Sequence, residues 1–275
     1  MDHLRRELAP ISDTAWEQIE LEATRTLRHF LAGRPLVDFT GPLGWEHAAH
    51  PLGRVGALSA PAAVGGDVAT NLALNRRATQ PLMEIRADFE IGYDELDAID
   101  RGVSNPDLSS VVEAARRAAY IEDHATFHGF NDADIIGIAP ASTHESLPIS
   151  DDYDEYPGIV ASAAARLRAS GVGGPYATAL GPRCYTGVIE TTEHGGYPVL
   201  EHIKLILGGP VVWAPAVDGA VVVSQRGGDY ELVCGQDFSI GYAGDGDASV
   251  KLYIEESMTF VVRDERAAVH LVYPT

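Results

Sequence analysis

Between Leu108 and Ala125 the residues Leu108, Val111, Val112, Ala115, Ala118, Ala119, Ile121 and Ala125 recur at helical spacing, which predicts one long helix. Asp107 can cap its first turn, Ser110 with Glu113 offers a capping box, and Gly129 stands where a left-handed residue would stop it. At 1.5 Å per residue such a helix is roughly 30 Å long, the width of a small domain. Its mostly small side chains let other backbone approach closely, so it reads as a spine with sheets laid on either side.

A second helix is predicted upstream. Ser12-Asp13-Thr14 followed by Glu17 is an N-cap signature, and Trp16, Ile19, Ala23, Leu27, Phe30 and Leu31 continue the helical period as far as Gly33. From Glu84 to Ile91 the period changes to two, with Ile85, Ala87, Phe89 and Ile91 on one face and Glu84, Arg86, Asp88 and Glu90 on the other, as in a half-exposed strand. A short acidic helix is expected over Tyr93 to Gly102. Between Arg54 and Asn75 the residues are small, with Pro61, Gly65 and Gly66 at the centre, and predict an extended two-stranded arm. A hairpin so poor in apolar side chains needs a surface to lie on, such as another subunit.

Beyond Gly137 and Pro140 an acidic loop, Asp151 to Tyr156, opens a second lobe in which helices and strands alternate. The pattern predicts helices over 159–169 and 197–207 and strands over 176–180, 211–214 and 220–223. The polar loop Glu190 to Gly196 lies between them. Strands are then expected at 230–233, 250–254, 259–262 and 268–272, returning to the domain that holds the spine.

Composition narrows the function classes. With 45% hydrophobic residues in 275 the chain can bury a full core, and forty acidic against twenty basic residues, a formal charge of −20, argue against wrapping nucleic acid. No stretch has the length of a membrane span, and the charged opening residues Asp2, Arg5, Arg6 and Glu7 are not those of a signal peptide, so a cytoplasmic protein is expected. Cys184 and Cys234 have no metal or disulfide spacing.

Candidate chemistry is sparse. His47 and His50 sit three apart in a loop rich in glycine and proline, and His124 and His128 share a face of the spine with Ala125-Thr126-Phe127 between them, not the His-Glu-x-x-His of a zinc protease. These four histidines leave a metal-dependent hydrolase open as an alternative. The carboxylates of the acidic helix have no nucleophile beside them, and the chain has no nucleophile elbow, phosphate loop or dinucleotide fingerprint. No catalytic residue and no metal ligand is assigned.

Several ordered motifs carry a resemblance. They are Gly33-Arg34 with Val37-Asp38, Gly41-Pro42-x-Gly44-Trp45-Glu46-x-Ala48-Ala49-His50-Pro51-Leu52-Gly53, Glu95-Leu96-Asp97, Pro106-x-Leu108-Ser109-Ser110, Ser224-x-Arg226-Gly227-Gly228-Asp229, and Gly235-Gln236-Asp237-x-Ser239-Ile240-Gly241-Tyr242. Together they make the whole chain resemble the family 1 encapsulins, the linocin or bacteriocin-like shell proteins of bacterial nanocompartments. The resemblance implies an α+β chain with the HK97-type fold of phage capsids. It implies an N-terminal helix and the start of a peripheral domain over 1–50, an extended loop over 51–78, the peripheral domain with the spine over 79–135, an axial domain over 136–223 and peripheral strands over 224–275.

The implied function is a non-enzymatic icosahedral shell, a homo-oligomer of sixty in the smallest case. It would enclose a ferritin-like iron-storage protein or a dye-decolourising peroxidase docked by a C-terminal peptide. The residues matching the family's peptide site are Phe30, Leu31, Arg34, Leu36, Asp38, Ile240 and Tyr253, and those matching its five-fold pore loop are Glu190, Thr191, Thr192, Glu193 and His194. Repeated acids around an axis would admit small cations more readily than anions. No cofactor is expected: flavin-binding members carry a tryptophan before Glu-Leu-Asp, where this chain has Asp94 beside Tyr93. A prophage major capsid protein is the alternative within the structural class.

Overall fold

The computed structural model describes residues 3–58, 73–193 and 195–274. In chain order the first half holds α1 (Asp13–Phe30), β1 (Asp38–Thr40), β2 (Ala49–Leu58), β3 (Leu74–Pro81), β4 (Met83–Gly92), α2 (Tyr93–Asp100) and α3 (Ser109–Phe127). There follow β5 (Gly129–Phe130), β6 (Ile135–Ile136), α4 (Ile138–Ala141), β7 (Leu147–Pro148), α5 (Tyr156–Ala169), β8 (Tyr176–Leu180), α6 (Pro182–Glu190), α7 (Val199–Leu207) and β9 (Val211–Trp213). The chain closes with β10 (Ala220–Ser224), β11 (Tyr230–Cys234), β12 (Ser239–Asp245), β13 (Ser249–Val262) and β14 (Ala268–Val272).

The spine is α3, and its small residues do what their size predicts. Val111, Ala114, Ala115, Ala118, Ala119, Ala125 and Phe127 are all buried, which brings α1, β4 and β13 against the helix. Its ends differ in part from expectation. Asp107 does accept from the Ser109 amide at 3.1 Å, but Glu113 pairs with Arg116 at 3.1 Å instead of closing a capping box. Gly129, at φ +84°, ends the helix as expected, and a Cβ there would lie 2.5 Å from the Ile135 carbonyl oxygen.

Five strands form the sheet on the spine, in the order β1-β11-β13-β12 with β4 also on β13. β4 keeps its predicted alternation, with Ile85, Ala87, Phe89 and Ile91 buried. β13 corrects the reading of two late strands at 250–254 and 259–262: it is one strand of 14 residues, paired with β4 from Ser249 to Met258. The polar run Glu255-Glu256-Ser257 lies between the two expected spans. It stays in the strand because Glu256 has a half-buried cationic partner, Arg34, and Ser257 Oγ accepts from the Gln236 amide at 2.9 Å.

A second five-stranded sheet runs β7-β14-β10-β8-β9. Every residue of β8 and β10 is buried, so their near-continuous apolar sequence carries no alternation. β14 belongs to this sheet, antiparallel to β10 from Ala220↔Leu271 to Val223↔Ala268, and does not return to the sheet on the spine as the sequence led us to expect. α6 was not anticipated either, since Pro182 at its first turn reads as a loop signal while serving as a helix start.

β2 and β3 form the predicted antiparallel arm, whose tip over 59–72, including Pro61, Gly65 and Gly66, lies outside the described residues. Val55 is 67% and Leu58 51% exposed on it, so this chain leaves the arm's apolar side chains largely uncovered. No helix among the described residues is long and apolar enough to cross a membrane.

Candidate functional site

The site is built where α1 ends. Ser12 caps α1 by accepting from the Ala15 amide at 3.1 Å, and Trp16, Ile19, Ala23 and Thr26 turn inward. The helix stops at Phe30, three residues short of Gly33, because the spine captures the chain there. Asp123 of α3, 1% exposed, accepts from the Ala32 and Gly33 amides, each at 2.8 Å. A Cβ on Gly33 would lie 3.1 Å from both Asp123 Oδ1 and Thr126 Cγ2, which accounts for a glycine at this crossing.

Arg34 then enters a nest of acids. Its Nε donates to both Glu122 oxygens at 3.0 Å, and Nη2 donates to Glu122 at 2.7 Å and to Asp237 and Glu256 at 2.8 Å. Glu122 and Glu256 are fully buried, and the guanidinium sits over the rings of Phe39 and Phe238 at 4.9 and 5.2 Å. Burial pushes Asp123 up to about 8 and Glu256 well above the carboxylate range, with the Glu122 charge adding to both. Arg34 is held above its ordinary value by Glu122, Asp237 and Glu256, against the effect of its burial.

Beside this joint runs a groove of about 250 Å³ between α1 and β12. Ala23 and Leu27 of α1, Phe238, Ile240 and Ile254 give it an apolar floor, while Thr24, Glu20 and Arg6 stand at the rim. Arg6 pairs with Glu20 at 2.5 Å, and the Leu4 carbonyl accepts from the Tyr242 amide at 2.8 Å, so the residues before α1 are tied to the edge strand β12.

The seven side chains singled out for peptide binding do not line one surface. Ile240 is in this groove. Phe30 lines a separate cleft of about 660 Å³ with Tyr120, Trp213, Arg116 and Arg117. Leu36, buried, and Asp38 border a hollow of about 80 Å³ near Gly227 and Asp229, where Asp38 accepts from the Gly228 amide at 2.5 Å. Leu31 is half-buried, Arg34 lies in the acidic nest, and Tyr253 is buried with the Arg86 guanidinium 3.7 Å above its ring. Leu27 and Ala23 were legible as part of the α1 stripe and Phe238 adjoins a quoted motif; Glu122, Asp123 and Glu256 were missed, although two acids in the middle of an alanine-rich stripe were a signal.

The residues expected in a pore loop follow one another from the end of α6. Glu190 ends α6, Thr192 bridges to Pro198, and Glu193 accepts from His202 Nδ1 at 2.7 Å, while His194 lies outside the described residues. The four histidines go separate ways. His124 and His128 stand 5.2 Å apart, but His128 Nε2 is bonded to the Ala216 carbonyl at 2.8 Å, and His50 faces Arg263 and Glu231. Among the described residues the side chains that do converge are Cys234, Asp237 and Glu256, and the cation they surround is the Arg34 guanidinium.

The fold defines the class: it is the HK97-like fold of viral capsids. The chain superposes on a virus-like particle from Pyrococcus furiosus with a TM-score of 0.65, over 92% of this chain and 98% of that one at 15% identity. It also matches the capsid of Myoviridae phage XM1 at 0.53, over 86% and 90% at 11% identity. Sequence places it more narrowly. The chain belongs to the encapsulin family, whose model, described as "Encapsulating protein for peroxidase", matches residues 1–259. It is 49% identical over 271 residues to the type 1 encapsulin shell protein of Rhodospirillum rubrum, covering 98% of this chain and 96% of the relative, and 40% identical, over 98% and 99%, to that of Mycobacterium tuberculosis.

Proposed function

We propose that copies of this chain, sixty in the smallest icosahedral arrangement, close into a cytoplasmic nanocompartment that encloses a cargo enzyme. Division into a peripheral domain, an extended loop and an axial domain follows from the same reading. The observation that carries the cargo role is the apolar groove between α1 and β12, narrow enough to take the aliphatic side chains of one extended peptide. The exposed Val55 and Leu58 of the β2–β3 arm support assembly, since a neighbouring subunit would cover them.

The cargo is a protein with a short C-terminal tail of a few apolar anchors. The family description makes a peroxidase the first to look for, and an iron-storing ferritin-like protein the second. The loop around Glu190 and Glu193 then lines a pore that favours small cations. We assign the shell no catalytic residue and no cofactor: Asp94 stands where flavin-binding members carry tryptophan, and the neighbouring Tyr93 hydroxyl is bonded to Asp245.

The test is native mass by light scattering behind a size-exclusion column, with absorbance recorded for nucleic acid. A megadalton particle free of nucleic acid supports the nanocompartment, and its co-purifying protein should be lost when that protein's C-terminal tail is removed. A megadalton particle filled with DNA would mean a phage capsid, and a monomer or dimer at neutral pH would overturn the shell.

A further inference from the structure

Three carboxyl groups meet one guanidinium at the end of α1, and a fourth, Asp123, holds the backbone beside it. Glu122 and Asp123 come from α3, Glu256 from β13 and Asp237 from the turn before β12, while Arg34 is the cation among them. Cys234 of β11 adds a thiol, 3.8 Å from Glu256 Oε1 and raised by burial, so it stays protonated. On the other edge of β13, the residue opposite Glu256 is apolar Ile85 of β4. One positive charge does not balance these acids if all are ionised, and three of them are 1% exposed or less.

The hydrogen bonds locate the surplus. Glu256 Oε1 accepts from Arg34, but its buried Oε2 has no donor of its own. Glu122 Oε2 and Glu256 Oε1 both accept from the same Arg34 Nη2, at 2.7 and 2.8 Å, so the two buried carboxyl groups crowd one donor. A buried carboxyl oxygen with no donor, next to a second acid, is relieved by carrying a proton itself.

We propose that a proton held on the buried Glu256 carboxyl, beside Glu122, is a structural part of this joint, and that its loss as pH rises unlatches residues 32–34, and with them the end of α1, from the spine. Arg34 is the pivot. With the proton present it faces a balanced pair and Asp237; without it, Glu122 and Glu256 repel across the guanidinium. Asp123 titrates in the same sense, since burial holds its proton up to about 8. These are acids with raised folded-state values, so the stability they hold is present at low pH and declines as pH rises toward those values. The device does not depend on the cargo reading, although the α1 face it holds is one wall of the groove.

Hydrogen exchange read by mass spectrometry on the assembled protein tests this. After correction for the intrinsic rate, protection of residues 27–34 is expected to fall by about tenfold or more between about pH 7 and about pH 9.5, while α5 is unchanged. In Glu256→Gln the amide stands permanently where the protonated carboxyl stood and its oxygen accepts from Arg34, so the fall through the same range is smaller than in the parent, what remains being that of Asp123. Flat protection in the parent, or an equal fall in the variant, overturns the proposal. If that variant does not fold, infrared spectra of Asp123→Asn, which removes the other buried acid with a raised value, decide: a protonated-carboxyl band that disappears as pH rises supports the latch, and its absence at neutral pH sinks it.

Discussion

Arg34→Ala tests how much of the fold rests on one cation. The substitution removes the bonds of 2.7–3.0 Å to Glu122, Asp237 and Glu256 and leaves two fully buried carboxyl groups without a counter-charge. Breaking a buried pair from one side costs about 3–5 kcal/mol. At about 2–4 °C per kcal/mol for a chain of this size, the melting temperature near pH 8 should fall by roughly 6–20 °C. The penalty has a definite dependence on pH. Burial already holds Glu256 well above the carboxylate range, so less buried charge is stranded near pH 5. What remains is the loss of hydrogen bonds and of the contacts with Phe39 and Phe238, about 2 kcal/mol. The assay is thermal unfolding of parent and variant at equal protein concentration and matched assembly state, at both pH values. A fall below about 3 °C near pH 8, or one no smaller near pH 5, would refute the charge argument. Arg34→Lys, which keeps the charge and loses the planar fork, should fall between the two.

Three other outcomes are expected. Thr24 is exposed at the rim of the α1–β12 groove, so Thr24→Trp should fill it and reduce cargo bound per shell by about tenfold or more, the loss of one apolar anchor, with the melting temperature unchanged; cargo retained in full would move the docking site elsewhere. Phe127→Ala empties a fully buried place at the end of the spine and should lower stability by about 3–5 kcal/mol in chemical unfolding. Glu193→Gln removes a charge from the loop after α6 and frees His202, and should slow divalent-cation entry into loaded shells while small neutral solutes enter at the parent rate.

Period was the most legible feature of the sequence. The spine, α1, β4 and β8 were predicted within a few residues because each buries one face or is buried whole, and the alternation or stripe is the direct record of that burial. Reading failed where burial and polarity part company. The two spans expected within β13 are separated by polar Glu255, Glu256 and Ser257, yet Glu256 is fully buried. β14 was given to the wrong sheet because strand pairing at long range leaves no mark on local pattern: Ala268 to Val272 would suit either one. The groove was legible on the α1 side only, as Ala23 and Leu27; its other wall depends on β12 turning Ile240 toward a helix more than two hundred residues earlier in the chain.

The quoted motifs find a common physical reason around the same crossing. Gly33 is small so that Asp123 can hold the backbone, and Arg34 satisfies acids from α3, β13 and the turn at Asp237. Asp38 accepts from Gly228, whose φ of +81° suits glycine, and Arg226 beside it is forked onto Asp229 and reaches Asp264 at 2.8 Å. Gly41 passes so close to Cys234 that a Cβ would lie 2.5 Å from its carbonyl oxygen, and Leu43 and Gly44 donate to the carbonyls of Cys234 and Gly235. Residues from 33 to 44 are thus fastened to residues from 226 to 237 by backbone and charge, not by apolar contact alone. Such a seam fixes the angle at which α1 lies on the spine, because hydrogen bonds with a set geometry tolerate less sliding than apolar contact does. A shell subunit needs that angle fixed, since small rotations within each copy add up around a closed surface, and Arg34 ties this seam to the spine by reaching Glu122 of α3 as well as Asp237 and Glu256.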